Sequence, residues 1–146
     1  MGEGRQFTTF YLAGSLFGVS ADTVHEILRS QEMTPVPLAP PEVSGLINLR
    51  GQIVTAIDLR RLGMKARERG KLPVSVVVRS GGGLLSLLVD EIGDVVEAPE
   101  DTFQPPPETL GSKAREIVRG VHKLDNHLLQ ILDIEALSCE REVEKT

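Results

Sequence analysis

Three histidines, one cysteine and a scatter of aspartates are the side chains on which this 146-residue chain could hang a reaction. His122 and His127 flank a turn signal, but no cysteine or carboxylate cluster completes a metal set around them. They read as solvated or cross-strand polar residues. His25 lies beside Glu26, yet a general base needs a nucleophile or a substrate pocket, and nothing nearby suggests either. Gly81-Gly82-Gly83 lacks the Lys-Ser/Thr and the helix start of a phosphate loop, and reads as a hairpin tip. Asp90 and Asp94, four residues apart after Val89, suit turn capping through backbone N–H groups better than acid–base work. Cys139 has no partner for an internal disulfide and no basic neighbour to activate it, which predicts an inert thiol. No catalytic residue, metal site or cofactor is expected.

The elements that would position any site are mostly strands. Gln6 to Leu12 and Leu16 to Val19 read as strands around Gly14. Val24, Ile27 and Leu28 repeat at helical spacing after Ser20 and Asp22, which predicts a short helix or helical turn over 20–29. Pro35, Pro37, Pro40 and Pro41 then enforce an extended loop. Leu46 to Leu49 and Gln52 to Leu59 flank Arg50-Gly51, a hairpin with Ile53 assigned to its inward apolar face, so Ile53→Asp is expected to unfold the chain. Val74 to Val78 and Leu84 to Val89 form a second hairpin, and Val118 to Leu124 with Leu128 to Ile134 a third, joined through Asp125-Asn126-His127. Pro99 and Pro105-Pro106-Pro107 mark a connector, and Glu135 to Lys145 reads as a frayed acidic tail.

Two of these hairpins are copies. Gly45 to Leu59 runs parallel to Gly120 to Ile134 without a gap, at an offset of 75 residues (120 − 45). Turn residues fall on turn residues, and Asp58 falls on Asp133. Equivalent aspartates in equivalent places predict a shared structural task, such as closing a strand end. The duplication predicts two small β-barrels, each too small to be comfortable alone, sharing a core.

The run Asn48-Leu49-Arg50-Gly51-x-Ile53-Val54-x-x-Ile57-Asp58-Leu59-Arg60 resembles the signature of the CheW-like chemotaxis coupling proteins. Val24-x-Glu26-Ile27 and Val89-Asp90-x-Ile92-x-Asp94-Val95 fall where that family has comparable segments, so the likeness spans Gln6 to Leu137. Thr55-Ala56 departs from it, since the family often carries a proline there. The resemblance implies an all-β fold of two SH3-like five-stranded barrels on a shared hydrophobic core, with short helical segments. The expected domain is 5–138, divided at about 5–71 and 72–138, with 139–146 as tail. It also implies a non-enzymatic adaptor between the cytoplasmic tip of a chemoreceptor and the regulatory domain of a CheA-type histidine kinase. Receptor contact is then expected at Val24, Glu26, Ile27, Arg50, Ile92 and Val95, in the groove between barrels; the kinase-contact residues are left unassigned. Arg50→Glu is expected to weaken receptor binding and to leave thermal stability nearly unchanged.

Composition weighs against the rivals. Acidic residues outnumber basic ones 21 to 16, for a net charge of −5, and Trp is absent. A nucleic-acid-binding barrel would want a basic face and stacking aromatics, and only the cluster from Arg60 to Lys71 speaks for it. No run approaches the 18 or so apolar residues that would read as a membrane span, and no signal-peptide pattern opens the chain. The expected location is therefore the cytoplasm, with recruitment to membrane-associated receptor arrays and no direct insertion. The same architecture in a pathway other than swimming, such as pilus motility or development, would leave the same sequence.

Overall fold

Eleven strands form among the described residues: β1 (Gly4–Leu12), β2 (Ser15–Ser20), β3 (Val24–Leu28), β4 (Val43–Leu49), β5 (Gln52–Asp58), β6 (Val74–Ser80), β7 (Gly83–Val89), β8 (Glu91–Pro99), β9 (Phe103–Gln104), β10 (Val118–Lys123) and β11 (Leu128–Leu132). One helix, α1 (Ile134–Arg141), follows. The computed structural model describes residues 4–29, 32–62, 71–81, 83–106, 116–124 and 127–141. Gly82, Asp125-Asn126, Pro107 and the middle of the basic cluster, with Lys65, Arg67 and Arg69, lie outside them, as does the side chain of Cys139.

The strands make two sheets, one in the order β8-β1-β2-β11-β10-β9 and one in the order β3-β6-β7-β5-β4. Continuous apolar runs become central strands covered on both faces. On β6 and β7 the period of two sends Val76, Val78, Leu85, Leu87 and Val89 into a central core and Val77 and Leu88 into the sheet's own interior. The first sheet does the same. Phe10, Phe17, Val19 and Leu132 enter the central core, whereas Phe7, Leu16, Leu129 and Ile131 form a separate cluster. Two barrel interiors and one core between them are the result, as the two-barrel reading requires.

The division near Leu72 needs correction, because neither sheet is a contiguous half. The sheet that begins with β1 and β2 is completed by β8 to β11, and β3 to β7 make the other. After β2 a single 3-10 turn, Ala21–Thr23, carries the chain across to β6, where Val24 pairs with Val78. After β7, Asp90 carries it back to β1, where Ile92 pairs with Phe10. The two halves of the sequence thus exchange their leading hairpins. Arg60, just past β5, is bonded through Nε to both carboxylate oxygens of Asp90 at 3.0 and 3.1 Å and through Nη2 to Oδ2 at 2.5 Å. Asp90 Oδ2 also accepts the N–H of Ala13 in the β1–β2 turn, 2.9 Å away. This largely buried cluster ties the two sheets where the chain crosses, so Asp90 caps a distant turn rather than the turn after Val89.

The 75-residue repeat is visible in the hydrogen bonding. Val43 pairs with Ile57 and Val118 with Leu132, each followed by a register shift at the same place, Gly45 and Gly120. β5 lies parallel to β7, and β11 lies parallel to β2. Asp58 accepts from the N–H of Arg60 at 3.1 Å and Asp133 from that of Ala136 at 3.1 Å, so both close a strand and open a helical turn.

Two local expectations are narrowed and two are overturned. The helical signal over 20–29 is met only by the 3-10 turn Ala21–Thr23; residues 24–28 are a strand, because a bulge between Val24 and Glu26 gives a strand the same apolar spacing. Residues 134–141 are helix α1 rather than a frayed tail, held by the Asp133 cap and by Leu137, which is wholly buried in the central core. Ile53 faces outward while Val54 is fully buried, so the inward phase of β5 is one residue later than expected. Of the two readings of His122, the cross-strand one holds: it pairs with Leu129 and Phe103 and is buried between Phe7 and Phe103.

Candidate docking site

The turn between β4 and β5 places its arginine by backbone conformation. Arg50 and Gly51 both have positive φ, 52° and 88°, the two-residue turn whose twist matches a hairpin. Asn48 Oδ1 accepts the Gly51 N–H at 2.9 Å, and Leu49 is buried, so the turn is held from both sides. A left-handed conformation is uncommon for arginine, and here it sends the side chain across to β3. Nη1 reaches Glu26 Oε1 at 2.5 Å and Nη2 reaches Oε2 at 3.0 Å, a bidentate fork. β3 and β4 are the two edges of their sheet, so this pair joins opposite edges and shows the sheet rolled on itself.

Arg50 is 72% exposed and Glu26 19%. The hydrogen bond to Glu26, and then its charge, raise the Arg50 pKa further, so the guanidinium is permanently cationic. His25 Nε2 lies 3.7 Å from Glu26 Oε1 on the other side. An exposed pair of this kind adds little stability, but it fixes one planar donor group against an edge strand.

The other expected residues separate into two kinds. Val24 and Ile92 are half-buried against the central core. Ile27 and Val95 are exposed, at 44% and 59%. Register makes them counterparts, 68 residues apart (92 − 24 and 95 − 27), on β3 and β8. Both strands are sheet edges. An edge strand leaves backbone donors and acceptors unpaired along one side, which together with an exposed aliphatic side chain suits the capture of another chain. The structure therefore joins Glu26 to Arg50 directly, places Ile27 beside that pair in sequence, and sets Val95 at the matching point of the other sheet. Sequence reading missed a further matched pair, Ile53 and Leu128, both exposed large aliphatics just after their turns. The 75-residue repeat was the signal that could have found them.

Residues 6–142 match the family model of the CheW-like domain. The chain belongs to the CheW-like family. A probable chemotaxis protein CheW of Rhizobium etli is 32% identical over 141 residues, covering 96% of this chain and 91% of that one. The chemotaxis protein CheW of Rhizobium meliloti is 32% identical over 142 residues, covering 95% and 92%. The crystal structure of the scaffolding protein TtCheW from Thermoanaerobacter tengcongensis superposes with a TM-score of 0.84 at 29% identity, over 99% of this chain and 97% of that one. In this CheW-like domain the Arg50–Glu26 pair is the charged candidate, on one sheet, and Val95 of β8 an apolar candidate on the other.

Proposed function

We propose that this CheW-like domain is a non-enzymatic coupling scaffold of a chemotaxis complex, holding a chemoreceptor's cytoplasmic tip and the regulatory domain of a CheA-type histidine kinase in register. The observation that carries the reading is the Glu26–Arg50 fork on an edge strand whose next residue, Ile27, is exposed on the opposite face. A receptor tip of paired helices offers carboxylates and apolar ridges; the guanidinium held in one plane suits the first, and exposed Ile27 on the same edge strand suits the second. Val95 supplies the second apolar contact, while Val24 and Ile92 support the two edge strands from behind. The kinase domain, built on the same plan, packs against a barrel end away from this surface, so both partners bind together. Joining two contacts in one assembly raises effective concentration, and individual affinities of about micromolar suffice. No covalent step is required. The protein works in the cytoplasm, at receptor arrays.

Arg50→Glu tests the surface. The charge reversal removes the fork and sets two carboxylates face to face at an exposed site, so the thermal transition stays within a few degrees of the parent while capture by a receptor cytoplasmic fragment falls at least tenfold. Full capture by the variant would place the receptor surface elsewhere.

A further inference from the structure

The duplicated unit is filled differently in its two copies. Ile47 on β4 sits in a closed apolar cluster with Leu49, Val54, Val77 and Leu88. Its counterpart on β10 is His122, which is only 3% exposed and lines a cleft of about 400 Å³. Phe7 and Phe103 flank the imidazole with ring centres 5.4 and 5.2 Å away, and Ile131 and Ile134 add apolar wall.

The hydrogen bonds favour one tautomer of the ring. The Thr102 hydroxyl donates to the Pro99 carbonyl at 2.8 Å, so at 2.7 Å from His122 Nδ1 it serves as acceptor. Nδ1 is therefore the N–H, and Nε2 carries the lone pair. Among the described residues Nε2 has no partner. Burial lowers the His122 pKa, which keeps the ring neutral and the lone pair available. A ring nitrogen on a cleft of this size accepts from water or from a ligand that displaces it.

We propose that this cleft is a binding site for a small neutral aromatic molecule carrying one O–H or N–H donor, the phenol and indole class. The donor meets His122 Nε2, and the ring lies against Phe103 and Phe7. Size agrees, since the cleft falls in the range of small-molecule pockets. The mouth carries both signs of charge. Arg5 is engaged by Glu100 at 3.1 Å, Arg79 bonds the Asp22 carbonyl at 3.1 Å, and Arg119 and Glu135 complete the rim. Ring and donor, rather than net charge, thus define the ligand. The site stands whether or not β3 docks a receptor.

NMR titration of the full chain with indole and with 1-methylindole tests it, because the two probes share a shape and differ in the donor. Indole is expected to shift the His122 and Phe103 ring resonances and to saturate with a Kd of roughly 0.1–1 mM, and 1-methylindole to bind at least fivefold more weakly. His122→Phe should abolish that preference. If this variant does not fold, the comparison of the two probes on the unaltered chain decides alone. Absence of shifts from either probe up to ~5 mM, or equal affinity for both, overturns the proposal.

Discussion

Ile53 and Val54 are adjacent on β5 and face opposite ways, Val54 into the interior of its barrel with Val77 and Leu88, Ile53 toward solvent. Val54→Asp would bury a carboxylate with no cation beside it, and is expected to cost at least about 3 kcal/mol, enough to unfold much of the population. Ile53→Asp is expected to stay within about 1 kcal/mol of the parent in urea denaturation. Equal losses would mean that the phase of β5 is wrong. His122 carries a pH effect of definite sign. Its folded pKa lies below the ordinary value of 6.5, so below that pH the unfolded chain takes up a proton that the folded chain refuses. Stability from this source is complete above 6.5, is lost as pH falls from there to the depressed folded value, and is level below it. His122→Phe should remove that slope, measured as denaturation midpoint against pH; an unchanged slope would assign it to other groups. The sequence signalled Arg50 and Glu26 as separate motif residues. Their contact was hidden because it depends on a left-handed arginine and on the rolling of a sheet.

At the scale of elements, the repeated hairpins were legible because turn residues and apolar alternation are local. β4–β5, β6–β7 and β10–β11 fall where Arg50-Gly51, the glycine run and 125–127 place their turns. β8 was missed because Gly93, Asp94 and Glu97 break its alternation, and an edge strand needs few buried residues. Helix α1 was missed because only Leu137 among its described side chains is fully buried. Gly45 and Gly120 have a reason that no local reading supplies, since another segment pairs closely alongside each. A Cβ on Gly45 would stand 2.7 Å from the Thr34 carbonyl oxygen, and one on Gly120 would stand 2.5 Å from that of Gln104 and against the Phe103 ring. Gly45→Ala and Gly120→Ala should each cost about 1–3 kcal/mol by overpacking. Gly83→Ala, where the nearest atom is 3.8 Å away, should change stability by less than about 0.5 kcal/mol. If Gly120→Ala proved as mild as Gly83→Ala, the close approach of β9 to β10 would be disproved.

The whole molecule owes its shape to the hairpin exchange, and sequence could not reveal it. Pairing between β1 and β8, or between β3 and β6, joins residues far apart in the chain, and only the crossings at 21–23 and at Asp90 decide it. The consequence for function is mechanical. Each sheet contains strands from both halves, and the Arg60–Asp90 cluster fastens one sheet to the other where the chain crosses between them. A coupler requires such rigidity, because a partner's rearrangement is passed on only if the scaffold does not absorb it. It also requires that one partner leave the other's surface free. Sedimentation velocity of the chain mixed with a chemoreceptor cytoplasmic fragment and a CheA-type regulatory domain measures this directly. A single faster species containing all three, with each binary affinity preserved within about twofold, is the predicted result. Displacement of one partner by the other, or failure of either to bind, would contradict it.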